Sequence, residues 1–143
     1  MLLESKELRL GNIVQYNNTE CFVYDICSPQ PRKGRYNNEF LLTLSLNGLI
    51  DCLIDEIEPV ELTEKWLIKF GFKYNKQIGW TKDGLCLDGP VVHFSFDLFR
   101  NESLTNYHLL DFVEIPRLVE YVHELQNLYF ALTNVELPLN NVK

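Results

Sequence analysis

The chain has 143 residues and a net charge of −7, with 46% hydrophobic and 13% aromatic residues. That much apolar material excludes intrinsic disorder, and at about 150 residues per domain the length allows one domain or two very small ones. An acidic chain is repelled by phosphate backbones, so general nucleic-acid binding is disfavoured. No stretch reaches the roughly 18 apolar residues of a membrane span. The opening "MLLESKELRL" carries charges where a signal peptide needs its apolar run, so the expected location is the cytosol.

The first sixty residues read as short β segments. "LRLGNIVQYN" alternates apolar and polar residues after Gly11, and "ECFVYDIC" alternates again with Phe22, Tyr24 and Ile26 on one face. "NNT" between them is a tight turn. "EFLLTLSL" is a third strand, ended by Asn47-Gly48, a strong two-residue hairpin signal. "LIDCLIDE" is the fourth. "IEPVEL" is a short fifth, which Pro59 confines to an edge or a strand start. Five short strands joined by hairpins suggest an SH3-like or KOW-like small β-barrel over residues 1–62, because a flat sheet of that size leaves exposed edges.

The stretch "LTEKWLIKFGF", residues 62–72, has every mark of a short helix. Thr63 suits the N-cap, Leu62 and Leu67 suit a hydrophobic staple, and Gly71 suits the left-handed position just past the end. Trp66, Leu67 and Phe70 form one apolar face. Two helical turns are unstable alone, so that face is expected to dock, either as a wedge between two parts of the chain or as an aromatic binding surface. Three strands follow, at 72–81, 84–88 and 90–99, with turns at Lys82-Asp83-Gly84 and Asp88-Gly89-Pro90. A further short strand is expected near 108–114. Pro116 then opens an amphipathic helix whose stripe is Leu118, Val122, Leu125, Tyr129 and Leu132, widened by Tyr121 and Leu128. The fold class is therefore α+β: a small barrel, then an α-β-β-β-α appendix over 63–143 that packs with it as one unit.

Candidate functional residues are few. The four cysteines, at 21, 27, 52 and 86, form no CxxC pair. In a reducing cytosol disulfides are rare, so buried thiols are the expectation. Cys21 and Cys27 lie six residues apart on one strand and should share a face. A zinc site joining them to His93 lacks the short ligand spacings that metal sites show, and no metal or other cofactor is expected. His93, Ser95 and Asp97 fall on one strand face, but at about 6–7 Å per step they are too far apart for a direct catalytic relay. That face reads as solvent-facing. His123 reads as a hydrogen-bonded border residue of the last helix. No pair of titratable groups has activating spacing, so an enzyme is the least favoured class.

Acidity is concentrated early: residues 1–62 hold ten acids and five bases, residues 63–143 ten and eight. The local exception is "PQPRKGRYNNE", a long loop where Arg32, Lys33, Arg35 and Tyr36 could contact a phosphate or nucleic acid. The aromatic residues Trp66, Phe70, Tyr129 and Phe130 are the candidate protein-interaction residues, and the Tyr129–Phe130 end of the last helix leaves a homo-oligomer open.

"LRLGNIVQY", "PVELTEKWLIKFGF" and "YVHELQNLYFALTNVEL" together resemble the signatures of an uncharacterised family of short proteins from gut bacteria and their phages and prophages. The match takes in Leu62, Thr63, Glu64, Trp66, Leu67, Lys69, Phe70, Gly71 and Phe72. It resumes from Val122 to Thr133, with Glu124 where glutamine is commoner and Asn134 where the family has glycine. The resemblance brings no activity and no catalytic residues. It implies a mobile-element setting, and with it a non-enzymatic interaction protein binding a host or phage protein, as an anti-defence inhibitor or a minor virion component. A nucleic-acid-binding accessory domain using the 32–36 loop is the alternative.

Overall fold

The computed structural model of the chain describes residues 3, 7–27, 41–95, 99 and 112–139. The fold is α+β, with two antiparallel five-stranded sheets and two short α-helices among the described residues. It divides into two compact units. The first is Met1–Glu61 with Tyr121–Leu128, and the second is Leu62–Glu120 with Tyr129–Lys143.

In the first unit the strands are β1 (Ile13–Tyr16), β2 (Thr19–Cys27), β3 (Leu41–Ser45), β4 (Leu49–Leu53) and β5 (Ile57–Pro59). They are ordered β4-β3-β2-β1-β5. Asn17 and Asn18, both at positive φ, make the tight turn between β1 and β2, as the sequence expects of asparagine. The β3–β4 loop is Leu46, Asn47 and Gly48, closed by the Ser45–Leu49 pair and by the Leu46 N–H donating to the Gly48 carbonyl at 2.8 Å. Pro59 sits on the edge strand opposite Val14, where its missing N–H is harmless. Among the described residues β4 and β5 remain the two edges, so the sheet is open and no closed barrel forms.

One face of this sheet carries the core: Val14, Cys21, Val23, Leu42, Leu44, Cys52 and Ile57, joined by Leu3 and Leu8. The alternation in β2 breaks once. Val23 pairs with Leu44, but Asp25 pairs with Thr43, which leaves Tyr24 as the extra residue of a β-bulge. An extra residue resets side-chain parity. Ile26 therefore turns inward opposite Leu42, and Cys27 turns outward.

The second unit opens with α1 (Glu64–Lys69). Thr63 takes the extended N-cap conformation, but its hydroxyl makes no capping bond. The end is better fixed. Gly71 is at φ 84°, its N–H donates to the Ile68 carbonyl at 3.0 Å, and the Phe72 N–H donates to the Leu67 carbonyl at 2.9 Å. This is the paired bonding of a Schellman motif. Lys82 adds a bond from its Nζ to the Phe70 carbonyl at 2.7 Å. The sheet runs β10-β9-β8-β7-β6, built from β6 (Lys73–Asn75), β7 (Gly79–Lys82), β8 (Leu85–Asp88), β9 (Val91–Phe94) and β10 (Val113–Ile115). The single strand expected over 72–81 is a hairpin, because Gly79 at φ 88° turns the chain. A Cβ there would lie 2.3 Å from the Leu87 carbonyl oxygen, so only glycine fits.

The last helix, α2 (Val122–Thr133), starts later than Pro116 suggests. Just before it the chain pairs with the end of the first segment: Tyr121 bridges Glu61, and the Val122 N–H donates to the Val60 carbonyl at 2.8 Å. Leu118 is consequently exposed rather than part of the apolar stripe, while Val122, Leu125 and Tyr129 are buried. Asn134, at φ 57°, ends the helix in the left-handed conformation that glycine would take. No helix among the described residues is long and apolar enough to cross a membrane.

Candidate protein-interaction surface

The face of the first sheet opposite its core is built by alternation. Strand pairing sets Phe22, Ser45 and Leu49 in one row, and Asp25, Thr43 and Asp51 in the next. Gln15 lies between Glu20 and Glu58 in a third. Phe22 is 43% exposed, and Tyr24 and Leu49 are each 59% exposed. The bulge matters here, because it turns both Tyr24 and Asp25 to solvent beside Phe22. Isolated exposed apolar residues are ordinary, but three large ones on one regular sheet face form a patch.

The charge of the described strands has one sign. The described strands β1–β5 contain Glu20, Asp25, Asp51 and Glu58 and no lysine or arginine. Two of the carboxylates are held in place. Asp51 accepts from the Thr43 hydroxyl at 2.8 Å, and Asp25 accepts from the Ile26 N–H at 2.9 Å and weakly from the Cys27 thiol at 3.6 Å. The Asp25 carboxylate, followed by burial, pushes the Cys27 thiol above its ordinary value, which disfavours the reactive thiolate. Sequence reasoning put Phe22 and Tyr24 on one face without seeing that face as the exposed one. The signal was present in the acids interleaved with them.

The four aromatic residues expected to meet a partner are placed differently. Trp66, Phe70 and Tyr129 are buried within the chain, and Phe130 is half-buried. The Trp66 and Phe70 rings pack with centroids 5.8 Å apart, and Lys69 covers the Trp66 ring at 4.3 Å. The Tyr129 hydroxyl donates to the Asp83 carboxylate. Trp66 and Phe70 serve the core of the second unit, because a two-turn helix must bury its aromatic face to persist. Arg32, Lys33, Arg35 and Tyr36 lie outside the described residues, as does Asp97.

The remaining chemistry-bearing side chains do not converge. Cys21 is buried and Cys27 exposed, so the bulge puts the pair on opposite faces and overturns the shared face expected for them. Burial pushes the Cys52 thiol, with help from Glu56, and the Cys86 thiol up to about 11. Among the described residues no three histidine, cysteine or acidic side chains gather as metal ligands. His93 is half-buried opposite Cys86 on β8. Ser95 is buried rather than solvent-facing, because its N–H closes onto the Gly84 carbonyl at 2.9 Å.

Two features of α2 were not foreseen. Gln126 and Asn127 are a polar clamp on the N-terminal loop of the first unit. The Gln126 Oε1 accepts from the Ile13 N–H at 2.8 Å, and its Nε2 donates to the Gly11 carbonyl at 3.1 Å. The Asn127 Oδ1 accepts from Asn12 Nδ2 at 2.9 Å, and its Nδ2 donates to the Glu7 carbonyl at 2.7 Å. Two amides interrupting an apolar stripe were the available signal. His123 is the second. It is fully buried, and among the described residues neither ring nitrogen has a hydrogen-bond partner, so it is not the hydrogen-bonded border residue the sequence suggests. Its ring stacks on Tyr121 with centroids 6.1 Å apart. No family model, curated protein or solved structure matches the chain.

Proposed function

We propose that the chain is a non-enzymatic protein-interaction module of a bacterial phage or prophage, acting in the host cytosol or in the virion. The observation that carries this reading is the outer face of the first sheet, where Phe22 and Tyr24 on β2 and Leu49 on β4, with β3 between them, stand exposed. A rigid sheet presents such side chains with little ordering entropy, which favours recognition over chemistry. The mobile-element setting rests on the resemblance of residues 62–72 and 122–133 to the phage-associated family. The strand order β4-β3-β2-β1-β5 supports reading the first unit as a variant of an SH3-like or KOW-like barrel. Within this reading the molecule serves as an inhibitor of a host defence protein or as a minor virion component.

The test is copurification from a lysogenic or infected cell, comparing the wild-type chain with the double variant Phe22→Ser/Tyr24→Ser. A protein retained by the wild type and lost by the variant supports the reading. Retention of the same proteins by both chains would refute it.

A further inference from the structure

We infer that the outer face of the first sheet docks an arginine-rich protein surface, with guanidinium groups stacking on Phe22 and Tyr24 while pairing with the neighbouring carboxylates. The inference rests on the interaction reading above and names the chemistry of the partner.

Two observations carry it. The first is charge: the five strands bear four carboxylates and no basic residue among their described positions, so these strands attract cations and repel anions. The second is spacing. Phe22 and Leu49 occupy the row beside the one holding Asp25 and Asp51, and rows on one face of a strand lie about 6–7 Å apart. A guanidinium stacked within about 6 Å of a ring therefore sits within reach of a carboxylate in the next row. Arginine fits such a site better than lysine, because its planar group stacks and hydrogen-bonds at the same time.

The receiving groups are fixed in advance. Thr43 orients Asp51, and the Ile26 N–H orients Asp25. Each carboxylate retains acceptor capacity, since an ionised carboxylate offers about four lone-pair sites. Glu20, one row beyond Phe22, extends the negative field along β2. A docked apolar side chain alone would not call for this charge, and a nucleic acid would be repelled by it.

The experiment titrates the full-length, isotope-labelled chain with an oligoarginine and an oligolysine peptide at low and high salt, following backbone amides. The expected result is tighter binding of oligoarginine, with shifts concentrated on β2, β3 and β4 and weakening as salt rises. Phe22→Ser/Tyr24→Ser should weaken it about five- to thirtyfold, the loss of two exposed cation–π contacts. Glu20→Gln/Asp25→Asn, which keeps the acceptor for Ile26, should weaken it as well, and unchanged melting temperatures show that both variants fold. Equal binding by the wild type and the aromatic variant, or shifts spread over the whole surface, would mean diffuse charge attraction and overturn the inference. If oligoarginine fails at this face while the aromatic variant still loses the protein captured from cells, the partner chemistry is wrong and the interaction reading survives. If capture also persists in the variant, both fall.

Discussion

His123 is the residue whose surroundings conflict most with its chemistry. It is fully buried, and among the described residues neither nitrogen has a partner and Glu7 is the charge that acts on it. Burial pulls its pKa below the ordinary 6.5, and the Glu7 carboxylate opposes this without reversing it. The unfolded chain therefore binds the proton more readily than the folded one. The resulting stability is complete above pH 6.5 and declines as pH falls below that value toward the folded-state pKa. Chemical denaturation measured from mildly alkaline to mildly acidic pH should show this loss, and His123→Leu should flatten it, because an apolar group of similar size has no proton to gain. A wild-type profile that stays level, or one that His123→Leu leaves unchanged, would assign the acid sensitivity elsewhere. Gln126 is the opposite case, a buried polar group with both ends satisfied. Gln126→Ala strands the buried Ile13 N–H and removes the bond to the Gly11 carbonyl, at a cost of about 1–3 kcal/mol for the unsatisfied buried group, read as a lower denaturation midpoint. Neither role was legible in the sequence. The periodicity of α2 identifies which face is inside, but not which polar residues on its border meet a backbone and which meet nothing.

At the scale of elements, what could be read depended on how local the cause was. Gly71 and Asn134 were legible because a left-handed residue past a helix end is a nearest-neighbour demand. Pro59 at an edge was legible for the same reason. The expected closure into a barrel failed, since β4 and β5 stay unpaired edges among the described residues, because closure depends on pairing between chain segments far apart in sequence. The helix start at Pro116 failed because pairing of the preceding residues with 60–61 overrode a local propensity. The bulge in β2 was hidden by the apparent regularity of "ECFVYDIC". Its consequence can be tested by deletion. Removing Tyr24 leaves Val23, Asp25 and Ile26 in regular in-out-in alternation, so that variant should keep its cooperative unfolding transition. Removing Thr43 from β3 instead turns Leu42 or Leu44 off the core face, where both are fully buried. That loss resembles a core Leu→Ala change, about 2–5 kcal/mol, and is expected to abolish the transition or lower its midpoint sharply. Equal damage from the two deletions would show that Tyr24 is not the inserted residue.

For the whole molecule, the division of the chain differs from the simple cut at residue 62 that composition suggests. The first unit takes Tyr121–Leu128 in addition to the first 61 residues, and the reason is chemical. The side-chain Nδ2 of Asn12, a residue only 1% exposed, the Gly11 carbonyl and the Ile13 N–H bond to Gln126 and Asn127, while the Val60 carbonyl accepts from Val122. A fragment ending at Glu61 loses all of these partners together with the buried side chains of Val122 and Leu125. Each orphaned buried group costs about 1–3 kcal/mol, against a total stability of about 5–15 kcal/mol for a small domain. The isolated fragment 1–61 is therefore expected to give a poorly dispersed amide spectrum and no cooperative melt, and joining residues 119–135 to its end through a flexible linker should restore both. Substituting Gln126 and Asn127 by alanine in that linked chain should remove the rescue. A fragment 1–61 that folds by itself would show that the clamp is dispensable and that the first five strands carry their own core.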